Sequence, residues 1–275
     1  MLGKLIKHEF RATRRTMLPL LMVFAIGSAL AIVGFYLNAI RIEKNPVTIT
    51  EEWGVLFIIF FSMTMMFYGI MIATAVCMNI FVSASRFEKN LLGDEGYLMH
   101  TLPVTAGQKL ASKLIMSIIW AAVSLAIMVL SATAISDIVN NAGLFSITAF
   151  SSSSIFGDYG ILHMLLSYAE TFFGFCRFYL VLFAAMAIGY SVNDHRRIFS
   201  VAAGSGIFIG INIIDSIIQA IYNWKRVGFS VVGIMFYADN TGWVLDLIQL
   251  AACIVTCVVL FFVTRYFLDK KLNLQ

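Results

Sequence analysis

The best internal sites for chemistry are three charged residues well inside long apolar runs of the chain: Glu170, Arg177 and Asp215. A charge at the middle of a bilayer costs at least about 2.5 kcal/mol on insertion scales, so each of them needs a partner or water. Glu170 and Arg177 are seven residues apart, which puts them on one helix face about 10 Å apart along the axis. Asp215 belongs to the next apolar run, and counting from the run ends places it nearer the depth of Glu170 than that of Arg177. Two kinds of role fit such residues. They fix helix packing through ion pairs and polar contacts, or they line a substrate path or subunit interface, where they could carry ions or protons.

Other chemistry is missing from the sequence. The nearest approach to a phosphate-binding loop is Gly107-Gln108-Lys109, which lacks the glycine spacing that cradles a nucleotide. His8-Glu9 begins like a zinc-protease helix, but Ala12 occupies the position of the second histidine, and His100, His163 and His195 are scattered. Gly204-Ser205-Gly206 is only a fragment of a nucleophile elbow. No catalytic residue and no metal site are expected, and if ATP drives this chain another chain hydrolyses it. The four cysteines, Cys77, Cys176, Cys253 and Cys257, all fall in apolar runs and read as small packing residues.

The elements that must carry these residues follow from composition. Of 275 residues, 60% are hydrophobic and 12% charged, and the mean hydropathy is +0.90; a soluble domain carries roughly 25% charged residues. Six apolar runs, 17–40, 55–81, 110–135, 161–190, 198–222 and 243–267, each exceed the roughly 18 residues needed to span. They are continuous and do not alternate, which favours a helical bundle over a barrel. Lys4, Lys7, Arg11, Arg14, Arg15, Arg86, Lys89, Lys109, Lys113, Arg196, Arg197, Arg265, Lys270 and Lys271 fall on one side of these runs. Only Arg41, Lys44, Lys225 and Arg226 fall on the other. The positive-inside rule then predicts that both termini are cytoplasmic, and topology accounts for the net charge of +4 without nucleic acid. The expected architecture is all-α: a single polytopic transmembrane domain over 1–275, with six transmembrane helices and an N-terminal interfacial amphipathic helix at 1–16.

That interfacial helix is expected because Lys4, Lys7, His8, Arg11, Arg14 and Arg15 share one arc at 100° per residue, opposite Leu2, Leu5, Ile6 and Phe10. Glu9 falls in the apolar arc, where it snorkels to water, pairs with a basic neighbour or meets a partner subunit. The segment 83–109 is the most patterned polar stretch. Gly93 and Gly96 can stop the second helix, Asp94 can cap a short helix through His100, and Pro103 closes it. Thr105 with Gln108 makes a capping box for the third span. Tyr97, Leu98, Met99 and Leu102 would then present an apolar knob that either meets a partner or folds back on the bundle. Gly206 and Gly210 form a G-x-x-x-G that reads as packing.

These features resemble the membrane (permease) subunits of type II ABC exporters. The resemblance rests on the start L-G-K-L-I-K-H-E-F-R, on E-G-Y-L-M-H-T-L-P-V at 95–104 followed by a Lys-bearing helix start, on six spans with cytoplasmic termini, and on the closing L-D-K-K-L-N-L at 268–274. It covers the whole chain, and only 95–104 is moderately specific. It implies that 1–16 act as an elbow helix and that 94–101 act as a coupling helix docked on a separate cytosolic ATP-binding cassette subunit. The partner-binding residues would be Asp94, Glu95, Gly96, Tyr97, Leu98, Met99, His100, Thr101 and Leu102. The chain would hold no cofactor itself, with ATP and Mg in the partner. It would pair with a second permease copy or a paralogue, in a plasma membrane of bacterial type. A compact chain without large extramembrane domains suits export of an amphipathic peptide or a hydrophobic small toxic compound. The competing expectation is an ion- or proton-coupled secondary transporter built on Glu170, Arg177 and Asp215.

Overall fold

The computed structural model describes residues 2–44, 52–93, 104–141, 161–192, 195–222 and 243–270. Six long helices account for nearly all of them: α1 (Leu2–Lys44), α2 (Glu52–Phe87), α3 (Ala106–Asn141), α4 (Ile161–Gly189), α5 (Arg196–Tyr222) and α6 (Trp243–Lys270). A five-residue π-turn, Glu88–Leu92, continues the end of α2. Each helix contains an apolar window long enough to cross a membrane, and the chain reads as a multi-pass helical membrane protein. All but α4 overrun the apolar runs that predict them. α1 has 43 residues, about 65 Å at 1.5 Å per residue, against a hydrocarbon core of about 30 Å.

That length corrects one expectation. Residues 1–16 do not form a helix separate from the first span, because α1 continues unbroken from Leu2 through Pro19 to Lys44. Glu9, Thr13, Met17, Leu21 and Phe24 are all buried and recur every three or four residues, so a single packed face runs from the basic segment into the apolar run. Nothing before Pro19 breaks that face. Glu9 lies within this chain's own packing at 4% exposure, which removes the snorkelling reading, while Phe10 stacks flat on Trp120 with ring centroids 5.7 Å apart.

Two compact units divide the chain. One comprises Lys7–Val82 and Ile119–Asp158, and here α1, α2 and α3 meet through Ala31, Phe35 and Ile135, with Phe61, Met65 and Tyr68 packed around them. Phe35 meets Phe61 edge-on at 5.7 Å. Tyr68 and Ser131 share a hydroxyl hydrogen bond of 2.8 Å, and Asn79 Nδ2 donates to Ser124 Oγ at 3.1 Å. A Cβ on Gly34 would lie 3.0 Å from Thr64 Cγ2, so the two helices approach closely there.

The other unit comprises Met1–Ile6, Ser83–Ile118 and Tyr159–Gln275. Its core is Cys176, Leu180 and Ala184 of α4 against Cys253, Cys257 and Leu260 of α6, flanked by Ile207 and Ile211 of α5. Cys176, Cys253 and Cys257 are thus packing residues, with free thiols, whereas Cys77 is exposed. Gly189, the last residue of α4, lets α5 approach closely: a Cβ there would sit 2.6 Å from the Ser200 backbone. His195 opens α5 from the left-handed region, at φ 55°, and its carbonyl accepts the Ile198 and Phe199 amides at 2.9 and 3.1 Å.

Candidate functional site

Within the second unit, α4 and α5 bring two of the three intramembrane charges into direct contact. Arg177 Nη1 donates to Asp215 Oδ2 at 2.8 Å. Depth counting from the span ends had placed Asp215 beside Glu170. The pairing with Arg177 differs because the long guanidinium stem reaches along the helix surface, a distance that residue counting ignores. Glu170 stays within the electrostatic reach of the pair, and a fourth charged residue does too: Asp246, in the first turn of α6. Four charged side chains from three helices, three acidic and one basic, thus share one region of the apolar interior.

The pair is not sealed. The Arg177 and Asp215 side chains retain 26% and 30% of their accessible surface, within the apolar windows Leu165–Gly189 and Arg196–Ile221. A half-exposed ion pair in hydrocarbon is costly, so whatever covers it must be polar. Asp246 was missed by sequence reasoning, although an acid three residues into the last apolar run was a visible signal.

The residues expected to dock a partner, Asp94, Glu95, Gly96, Tyr97, Leu98, Met99, His100, Thr101 and Leu102, lie outside the described residues, as does Pro103. The two roots of that segment are described. At the first root, Phe87 and Leu91 are fully buried, and Phe87 stacks on Phe183 of α4 with centroids 4.3 Å apart and planes 9° off parallel. The π-turn closes with the Gly93 amide donating to the Glu88 carbonyl at 2.8 Å, so Gly93 ends the helix as its glycine suggested. The Tyr190 hydroxyl, just past the end of α4, donates to Glu88 Oε1. Burial and then the neighbouring Glu88 push the Tyr190 hydroxyl up to about 12, so it stays a donor. The Arg196 guanidinium lies over the Tyr190 ring, 5.8 Å from its centre.

At the second root, Thr105 begins α3 as expected: its Oγ1 accepts the Gln108 amide at 3.4 Å, and its carbonyl accepts the Gln108 and Lys109 amides at 3.0 and 3.2 Å. A Cβ on Gly107 would lie 3.5 Å from Arg265 Cδ of α6, and Arg265 pairs with Asp269 at 3.5 Å. Lys109 and Lys113 are buried, at 3% and 4% exposure, although sequence reasoning had counted both only as surface charges. Their spacing of four was the signal, since it puts both on the same helix face as buried Met116 and Trp120. The contact between Glu88 and Tyr190, 102 positions apart, had no local signal at all.

Among the described residues nothing packs on the G-x-x-x-G of α5: at Gly206 and Gly210 an added Cβ would meet nothing within 4 Å, while at Gly204 it would approach Ala185 of α4. The methionines of α2 face different surroundings. Met63 and Met66 are exposed, while Met65 packs into the core of its unit. No family model matches the chain, and no curated protein and no solved structure matches it either.

Proposed function

We propose that this chain is the membrane-spanning subunit of an ATP-driven exporter in a bacterial plasma membrane, with both termini cytoplasmic. A cytosolic ATP-binding cassette subunit docks on the 94–101 segment and supplies the energy, and a second permease copy or paralogue completes the path. The cargo is an amphipathic peptide or a hydrophobic small toxic compound. One observation carries most weight: both roots of the docking segment are anchored on the unit that holds the intramembrane charges. Phe87 and Glu88 grip α4 at Phe183 and Tyr190, and Gly107 lies against Arg265 of α6. A protein that displaced the segment would therefore push on α4 and α6, which carry Glu170, Arg177 and Asp246. The basic residues of 1–16 extend α1 beyond the bilayer on the same side and support the cytoplasmic placement.

The test is affinity purification of the tagged chain from mild detergent, with mass spectrometry of what stays attached and an ATP hydrolysis assay on the eluate. A stoichiometric ATPase, lost in Leu98→Asp, is the expected result. A single-chain preparation without hydrolysis from native membranes in several detergents overturns it. The second reading, an ion- or proton-coupled secondary transporter, is favoured by the half-exposed Arg177–Asp215 pair between two helices. It requires transport to survive Leu98→Asp and to fail in Asp215→Asn.

A further inference from the structure

α5 is the most outward-facing span of the chain: none of its most apolar window is buried. Its polar residues are nevertheless not scattered. Between Val201 and Ile221 every polar side chain, Ser205, Asn212, Asp215, Ser216 and Gln219, falls within one arc about 100° wide when successive residues are set 100° apart. Ser205, Ser216 and Gln219 are exposed, and Asn212 and Asp215 are half-buried. The neighbouring arc is apolar, and its exposed side chains are Ile213, Ile217 and Ile221, exposed at 54%, 51% and 70%, with Gly206 among them. One side of α5 is thus suited to lipid and another is not.

Backbone bonding satisfies part of this arc. Ser205 Oγ donates to the Ala202 carbonyl at 2.9 Å, and Asn212 Nδ2 donates to the Phe208 carbonyl at 2.8 Å. The Asn212 Oδ1, the Ser216 hydroxyl and the whole Gln219 amide bond to nothing among the described residues. In hydrocarbon the Asn212 Oδ1 and the Gln219 amide would go unsatisfied, at a cost of several kcal/mol each by transfer estimates, whereas the Ser216 hydroxyl can turn back onto a carbonyl of its own helix. Asp215, at the edge of the arc, holds Arg177, and that pair is itself incompletely covered.

We infer that the arc of Asn212, Asp215, Ser216 and Gln219, continued by Ser205, is the wall of a water-filled vestibule that reaches the Arg177–Asp215 pair. The vestibule opens at the Tyr222 end of α5 and extends about 10 Å to Asp215, and Ser205 lies a further 15 Å or so along the helix. That mouth is opposite the Arg196–Arg197 end, hence on the outer side of the membrane by the distribution of basic residues. Water, and the hydrated side of whatever is moved, occupies it. This goes beyond the exporter reading, because a water-lined face is required whichever energy source drives the chain.

The test needs neither an ATPase nor a known substrate. Cys77, the exposed cysteine, is replaced by alanine, and the three buried cysteines stay as a slow background. Single cysteines are then placed at Asn212, Ser216 and Gln219, and for comparison at Ile213, Ile217 and Ile221, and intact cells are treated with a membrane-impermeant cationic methanethiosulfonate. Thiolate is the reactive form and forms only in water, so the arc positions should react at least about tenfold faster than the isoleucine positions. Rates within about threefold of one another would overturn the vestibule. So would oxidative cross-linking of two copies through Ser216→Cys or Gln219→Cys without reaction with the reagent, since that would make the arc a dry contact between copies. Should Asn212→Cys fail to accumulate, Ser216→Cys and Gln219→Cys, both at exposed positions, decide the matter alone.

Discussion

Among α1, α2 and α3 two cross-helix contacts join neutral polar groups, Tyr68 to Ser131 and Asn79 to Ser124. Among α4, α5 and α6 one joins charged groups, with Arg177 bound to Asp215 and with Glu170 and Asp246 nearby. Both regions are built from helices apolar enough to span, so hydrophobicity does not distinguish them. Small hydroxyl and amide groups let helices pack in lipid with little to lose if one bond fails. Ion pairs concentrate the cost in a few residues, which suits a region that binds, moves or responds. The α4–α6 unit also anchors both roots of the segment proposed to meet an ATPase. On the proposed function the α1–α3 unit is scaffold and the α4–α6 unit the working part.

The contrast can be broken by substitution. Phe183→Ala should have the largest effect, about 3–5 kcal/mol, because it empties a fully enclosed site and removes the ring stacked on Phe87. Unfolding in mixed micelles measures the loss, and hydrogen exchange should rise in 87–93 as well as in α4; unchanged exchange in 87–93 would mean the first root is not held by this stack. Arg177→Ala comes next, at about 2 kcal/mol, the value for a broken buried pair being discounted because this one is partly exposed. Asp215→Ala added to Arg177→Ala should recover part of that loss, and an additive double variant would show that the two residues are not coupled.

Thr105→Ala should cost about 1 kcal/mol through the lost helix cap, seen as faster exchange of the Gln108 and Lys109 amides with the rest of α3 unchanged. Tyr68→Phe should cost least, about 0.6 kcal/mol, the usual worth of a neutral hydrogen bond between spans. If Tyr68→Phe proves more damaging than Arg177→Ala, the division into scaffold and working part is wrong.

Much of the fold was legible residue by residue. Five of the six apolar runs lie inside one helix and the other, 161–190, exceeds α4 by one residue, while Gly93 and Thr105 stop and start helices where their chemistry suggested. The helix extents were less legible. Nothing in 1–16 marks a break, yet the basic arc suggested a separate surface helix, because a wheel shows which face is apolar and not what that face meets. Glu9 illustrates the point: it looked misplaced among apolar residues, and in the folded chain it belongs to the packed stripe that continues through Thr13 and Met17.

Local pattern therefore settled which segments enter the membrane, where their caps fall and that Glu170, Arg177 and Asp215 are trapped there, since run length, spacing and insertion cost are properties of neighbouring residues. It even contained the polar arc of α5, whose members lie within 15 positions of one another. Packing alone decided that Arg177 takes Asp215 and that Tyr190 reaches Glu88, and it brings Asp246 to the charged group. Those contacts join residues 38 or 102 positions apart. Their geometry depends on the depth, tilt and rotation of whole helices, quantities that no local spacing encodes.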